Sequence, residues 1–434
     1  MTGQALFEAL SDLNPWWSGR AIPQGRLGKP RPRIAGRIRA LMPAREMVAI
    51  TGVRRCGKST LMHQAIEGLL RDASPKNVFY LSADAPMPYK GTELLDKAYS
   101  AFLEANNPKG RKYVFLDEIQ TAEGWENWLK SKYDLEGKTL KIVFSGSNSS
   151  MLSSDRLSML TGRLLRERVH PLSFAEYLDF KGAGGNLPKE EALHYLGRYL
   201  EEGGFPETAA DEGADEINRR RLSEYFEGII FRDVVYSRGV REPAKISELA
   251  RYAVTNIASP TSLNALSRAT GININSLSEY LNYLEDANLV FQHHHFSYSL
   301  RQTEAGQKKR KLYCIDAGLR NASSFRFSKD TGRLAENAVF LQMRMLGKEA
   351  YFWEGDGEVD FVALGKNGDL QAINVSYSDQ VQKRETDALH EFSEKFRRTK
   401  RLLLITKDRT GTENGVECIP LHRWLLMKEG EWTR

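Results

Sequence analysis

Cysteine is scarce in this chain: Cys56, Cys314 and Cys418 stand singly among 434 residues. Those spacings build neither a zinc cluster nor a disulfide framework, which points to a reducing cytoplasm. No apolar run approaches the ~20 residues of a membrane span, and the first residues lack the basic and apolar segments of a signal peptide. A membrane partner is therefore not expected. No stretch repeats internally. Neither sign of charge dominates, since 62 Lys and Arg stand against 56 Asp and Glu. The resulting net charge of +6 and pI of about 9.0 are compatible with nucleic acid without demanding it. A hydrophobic share of 41% with 27% charged residues fits a soluble globular protein. The length suggests about three domains.

What is present is organised around Gly52-Val53-Arg54-Arg55-Cys56-Gly57-Lys58-Ser59-Thr60. This fits G-x-x-x-x-G-K-[ST], a phosphate-binding loop. Two glycines let the backbone curl so that successive N–H groups face phosphate oxygens. Lys58 brings a point charge to the β and γ phosphates, and Ser59 offers a hydroxyl to Mg²⁺. The flanks agree: Met47–Ile50 is an apolar strand run, while Leu61, Met62, Ala65, Ile66, Leu69 and Leu70 recur at helical spacing. That order sets the phosphates at a helix N-terminus.

Further strand runs are expected at Val78–Leu81, Tyr113–Leu116 and Leu140–Phe144, separated by helical segments, which argues for a parallel sheet. Asp117 and Glu118 follow the Tyr113 strand. Asp117 is placed to hold Mg²⁺, and Glu118 to orient or deprotonate the attacking water. Ser145-Gly146-Ser147-Asn148 ends the next strand, where Asn148 would sense the γ-phosphate. Upstream, Trp16 and Trp17 read as docking residues of an N-terminal arm.

The Gly-x-Arg-Arg-x-Gly-Lys-Ser loop, Leu116-Asp117-Glu118-Ile119-Gln120, Ser145–Asn148 and Gly162-Arg163, followed by Pro171-Leu172-Ser173-Phe174-Ala175-Glu176-Tyr177, resemble an AAA-type ATPase family. That family occurs in bacteria and archaea and carries a C-terminal region of unknown function. The resemblance implies an AAA+-like α/β domain with strand order 5-1-4-3-2, ATP with Mg²⁺ as cofactors, and Arg163 as an arginine finger. Read by itself, Arg163 is equally a surface ion pair.

The expected domains are an arm (1–33), the ATPase domain (34–181), a helical lid (182–243), a winged helix (244–315) and a terminal α/β unit (316–434). In the winged helix, Thr261 or Ser262 caps one helix, Thr270-Gly271 makes the turn, and Ile274, Leu277, Leu281 and Leu284 form the apolar stripe of the next. Its outward face carries Asn273 and Asn275 but no Lys or Arg, so phosphate contacts fall to the wing residues Arg301, Lys308, Lys309, Arg310 and Lys311. Protein packing is the rival use of this element. His293-His294-His295 reads as a strand edge, because alternation sends neighbours to opposite faces.

The terminal unit resembles the PD-(D/E)XK nuclease fold, with Glu336 and Asp360 at its first two acidic positions. Its third strand reads Ile373-Asn374-Val375-Ser376 where that fold has Ile-Glu-Val-Lys, so an acid and the lysine are absent and cleavage is not expected. Arg111, Lys112, Lys400 and Arg401 read as solvated flanks. Together these readings give an ATP-hydrolysing motor or remodeller acting on DNA, with self-assembly into an oligomer compatible. The alternative is a nucleotide-switched scaffold that acts on a protein partner.

Overall fold

The computed structural model describes residues 2–146, 159–184, 187–211, 213, 215–297, 309–324, 330–365, 367–378 and 382–428. The chain divides into two compact units, Met1–Val169 and His170–Arg434.

In the first unit, α1 (Thr2–Leu13) and α2 (Pro32–Ala40) precede β1 (Met47–Thr51) and α3 (Lys58–Leu69). Then come β2 (Val78–Ser82), α4 (Gly91–Asn106), β3 (Lys112–Asp117), α5 (Trp125–Glu136), β4 (Leu140–Gly146) and β5 (Leu164–Arg168). The strands pair in parallel in the order β2-β3-β4-β1-β5, the 5-1-4-3-2 arrangement that the resemblance implies. All five residues of β1 and all seven of β4 are buried, as central strands covered on both faces must be. One face closes on Phe79, Phe102, Trp125, Trp128 and Phe144.

Trp16 and Trp17 each donate an indole N–H to Val78 O at 2.9 Å. Trp17 also stacks on Phe79 and Phe102, so the arm is part of this core. Arg111 and Lys112 are half-buried rather than solvated flanks. Arg111 donates to Pro43 O and Ala44 O, and Lys112 to Glu136 at 2.7 Å. Lys141, fully buried in β4, donates to the carbonyls of Leu41, Ala44 and Glu46 at 2.7, 3.1 and 2.5 Å. Burial lowers this ammonium to about 8.

The second unit begins with α6 (Phe174–Phe180), opened by a capping box between Ser173 and Glu176. Residues 170–180, expected with the first domain, fall here because Leu172 N donates to Gly204 O at 2.6 Å and Tyr199 O–H to Leu172 O at 3.0 Å. Helices α7 (Lys189–Glu202) and α8 (Asp215–Gly228, continued as a π-helical segment Ile229–Tyr236) follow. A Cβ on Gly204 would lie 2.4 Å from Leu172 O, so only glycine fits that approach.

Next come α9 (Pro243–Thr255), β6 (Thr261–Ser262), α10 (Leu263–Thr270), α11 (Ile274–Asp286), β7 (Val290–His294) and β8 (Lys309–Cys314), the three strands ordered β6-β8-β7. Ser262 caps α10 and Gly271 ends it at φ +65°. Ile274, expected on the buried stripe of α11, is 41% exposed, while Leu277, Leu281 and Leu284 are buried. His293 is buried among Tyr313, Phe340 and Phe361.

After α12 (Ala317–Ser323) and α13 (Thr331–Met345), a mixed sheet gathers β9 (Ala350–Glu354), β10 (Glu358–Leu364), β11 (Leu370–Ser376), β12 (Thr399–Thr406), β13 (Gly411–Glu413) and β14 (Val416–Pro420). It is joined by α14 (Lys383–Lys395) and α15 (Leu421–Leu426). The elements β13, β14 and α15 were not foreseen.

Lys311 Nζ, on β8 and wholly buried, lies 2.8 Å from Glu336, 2.5 Å from Glu358 and 2.7 Å from Asp360. Tyr313 O–H donates to the same Glu336 oxygen at 2.6 Å. Lys311→Met should cost about 3–5 kcal/mol, because buried carboxylates would be left without their cation. A lower urea midpoint reads this directly. Burial, with Asp360 adjacent, pushes Glu336 up from 4.5 to about 8. The folded chain therefore keeps a proton that the unfolded chain releases, and the stabilising contribution is lost as pH rises through that folded value. Glu336→Gln should flatten the resulting decline between about pH 5 and pH 9. A midpoint indifferent to Lys311→Met would contradict this electrostatic account.

Candidate nucleotide site

The candidate site forms where β1 ends and α3 begins. Gly52 passes so close to β5 that a Cβ would stand 2.1 Å from Val169 O. Gly57, at φ +94°, turns the chain into α3. Between them Cys56 is buried and Arg55 is exposed at φ +69°. Lys58 is 4% exposed, and its Nζ donates to Gly52 O and Val53 O at 3.1 Å each. Glu118 Oε1 lies 3.9 Å from that ammonium. Ser59 is exposed beside it. The loop thus holds a buried cation on two carbonyl dipoles with one carboxylate at 3.9 Å, surroundings that suit a polyanion.

Parallel pairing brings the end of β3 to the same edge of the sheet. Asp117 is 2% exposed. Its Oδ2 accepts from Tyr80 O–H at 3.0 Å and its Oδ1 accepts a short hydrogen bond from Ser145 O–H. Ser145 Oγ accepts in turn from Glu118 N at 3.1 Å. Glu118 takes a left-handed backbone at φ +48°, uncommon for a side chain of this kind, and its Oε2 accepts from Gln120. Two hydroxyls and an amide therefore fix both acids. Burial and the neighbouring Asp117 raise the Tyr80 phenol far above its ordinary value, so it acts only as a donor here. Burial also raises the Cys56 thiol, against the opposing charges of Lys58 and Arg31.

The loop 52–60, Asp117 and Glu118 come together in this way. Asn148 lies outside the described residues. Arg163 sits at the other end of β1: its carbonyl accepts from Met47 N at 2.8 Å, about 15 Å of strand away from the loop. Its guanidinium pairs with Asp134 at 3.2 Å and lies over the Tyr133 ring. It cannot serve the loop of its own chain. Tyr80, Ser145 and Gln120 were missed as site residues. Ser145 and Gln120 carried a signal, since one opens the polar run that ends in Asn148 and the other ends the run that begins at Leu116; Tyr80 carried none.

The wing residues fare differently from expectation. Lys311 is wholly buried among carboxylates, and Arg310 is 6% exposed and donates to Gln292. As neighbours on one strand the two side chains lie on opposite faces of β8, Lys311 among carboxylates and Arg310 against Gln292. Lys309 is exposed but bonded to Glu354 at 2.8 Å. Asn273 caps α11 by accepting from Asn275 N, and both are exposed. Arg301 and Lys308 lie outside the described residues. In the terminal sheet Asn374 is fully buried; its Oδ1 accepts from Asp360 N, and its Nδ2 donates to Glu358 O and Glu385 O, all at 3.0 Å.

A family model described as an AAA domain matches residues 44–178. Two described as domains of unknown function (DUF8612 and DUF4143) match residues 193–330 and 331–424. The uncharacterized protein MJ1544 of Methanocaldococcus jannaschii is 30% identical over 406 residues, covering 87% of each chain. The chain belongs to this family of AAA-type P-loop ATPases with C-terminal domains of unknown function. A further family relative, an uncharacterized protein of Haemophilus influenzae, is 27% identical and covers 87% of this chain and 93% of its own. Among solved structures, the Walker-type ATPase PABY2304 of Pyrococcus abyssi covers 68% of this chain and 95% of its own at 15% identity, with a TM-score of 0.45. The Aeropyrum pernix ORC1 protein in complex with DNA covers 68% and 92% at 14% identity, with a TM-score of 0.34.

Ser145 and Tyr80 each hold one oxygen of Asp117; if Asp117 holds Mg²⁺ as the sequence leads us to expect, Ser145→Ala should raise the Mg²⁺ concentration needed for half-maximal ATP turnover by about tenfold or more. Tyr80→Phe should act in the same direction. A Mg²⁺ titration unchanged in both variants would contradict the assignment of Asp117.

Proposed function

We propose that this AAA-type ATPase binds ATP with Mg²⁺ in the loop 52–60 and hydrolyses it there. One observation carries the reading: the buried Lys58 ammonium meets Asp117 and Glu118 at one sheet edge, with carbonyl dipoles and a carboxylate 3.9 Å away as its company. ATP brings the phosphoanhydride bond, and Mg²⁺ would neutralise its developing charge from Ser59 and Asp117. Lys58 exchanges its loop carbonyls for phosphate oxygens, a charge-assisted contact in place of a neutral one. Loop N–H groups fix the phosphates, and Glu118 takes the proton of the attacking water at its carboxylate.

For the target, the DNA-remodelling reading rests on the helix–turn–helix order of α10 and α11 and on exposed Asn273 and Asn275. A specific observation favours the second reading, a nucleotide-switched scaffold acting on a protein. Arg310 and Lys311 are buried, and Lys309 is paired. We also propose that the terminal sheet does not cleave nucleic acid, since the Lys311 ammonium lies among its carboxylates and Asn374 is committed to backbone groups.

Lys58→Ala should abolish ATP binding or hydrolysis, because Lys58 is the one buried cation within the loop, where Arg54 is half-buried and Arg55 exposed. Glu118→Gln should bind ATP and barely turn it over; full turnover would sink the role given to Glu118. If the protein-partner reading is right, duplex, forked and single-stranded DNA should leave turnover unchanged. DNA affinity should then show a log–log salt slope well short of the about −0.9 that each phosphate contact contributes on duplex. DNA-stimulated turnover would restore the remodeller, and Mg²⁺-dependent cutting lost in Asp360→Ala would restore a nuclease.

A further inference from the structure

Arg31 lies outside every motif that marks the nucleotide site, yet it is 3% exposed. Its Nη1 donates to Cys56 O at 3.0 Å, so the buried guanidinium lies against the phosphate loop itself. The segment that carries it is fastened to α3. Gln64 Nε2 donates to Leu27 O at 2.7 Å and to Lys29 O at 3.0 Å, while Gln64 Oε1 accepts from Arg31 N at 3.2 Å. Gly28, at φ +54°, passes Thr60 so closely that a Cβ would meet its methyl at 3.2 Å. Four arm residues thus run along the first turns of α3, immediately behind Lys58.

The bond to Cys56 O has a consequence fixed by peptide geometry. In a planar trans peptide the C=O and the following N–H point in opposite directions. Drawing Cys56 O outward to Arg31 therefore turns the Gly57 N–H toward the inside of the loop. Gly57 is the residue at φ +94° from which α3 starts, so on that side of the peptide no side chain holds its orientation. A buried guanidinium also adds fixed positive charge beside a site meant for a polyanion.

We propose that Arg31 is a positioning residue of the nucleotide site: it sets the Cys56–Gly57 peptide for phosphate, and Gln64 holds it in place. The proposal rests on the ATP reading above. It makes the arm part of the site, since removing the Arg31 contact frees the loop peptide to turn its donor away. The effect acts on phosphates and not on the base, so ATP, ADP and GTP should lose affinity by one common factor.

The test is equilibrium binding of Mg²⁺-ATP, ADP and GTP to the full chain, alongside thermal melting with and without nucleotide. Arg31→Met should weaken ATP and ADP about tenfold or more, the worth of one charge-assisted hydrogen bond. The melting temperature without nucleotide should stay near wild type, and the nucleotide-induced rise should shrink. Arg31→Lys, which keeps the charge and one donor, should recover part of the affinity. Gln64→Leu, which releases the arm without touching the loop, should weaken binding in the same direction and decides the matter if Arg31→Met fails to fold. Unchanged affinity in a folded Arg31→Met chain, or in Gln64→Leu, overturns the proposal while leaving the ATP reading intact. A loss that differs between ATP and GTP also overturns it, because the arm would then be reading the base. Failure of the wild-type chain to bind any of the three nucleotides removes the ATP reading and this inference together.

Discussion

A buried ammonium needs anions or dipoles around it, and the way each buried lysine is satisfied tells its role. Lys141 faces three carbonyl oxygens of the loop that leads into β1. Its burial lowers its basicity, and it is a structural pin. Lys311 faces three carboxyl groups, one of which keeps its proton, and their contacts with the ammonium bind the β8 hairpin to α13 and β10. Lys58 has two carbonyls and one carboxylate at 3.9 Å. It is the one of the three whose surroundings gain most from an added anion.

The rest of the first unit serves that ammonium. Parallel strands bring β1 and β3 to the same edge, so loop and acids share it. Asn14 of the arm holds both backbone groups of Tyr80, with bonds of 2.7 and 2.8 Å. Tyr80 holds Asp117, and Ser145 joins Asp117 to the backbone of Glu118. Arg31 reaches the loop from the same arm. Residues before β1 are thus tied to both halves of the site.

Much of this was legible from residue order alone. The glycine loop, the apolar strand runs and the acid pair after β3 are local patterns, and local patterns survive folding. In the terminal sheet the strand at Ile373–Ser376 was legible for the same reason. What escaped was tertiary. Nothing near Arg31 or Tyr80 announces that each touches a motif far along the chain. Lys311 looked like wing charge because Lys309, Arg310 and Lys311 form one basic run; the carboxylates that absorb it come from α13 and β10. Ile274 fitted an apolar stripe by spacing, but it begins its helix at the exposed end. Strand β13 is short and polar enough to pass as loop, and β14 offers only Val416, Cys418 and Ile419 as apolar signal.

The most direct measurement is a structure of the Glu118→Gln chain with Mg²⁺-ATP. The account predicts phosphates inside the loop 52–60, Lys58 Nζ moved from the carbonyls of Gly52 and Val53 onto phosphate oxygens, and the metal beside Ser59 and Asp117. Nucleotide bound elsewhere, or a Lys58 still bonded to those two carbonyls with nucleotide present, would contradict it.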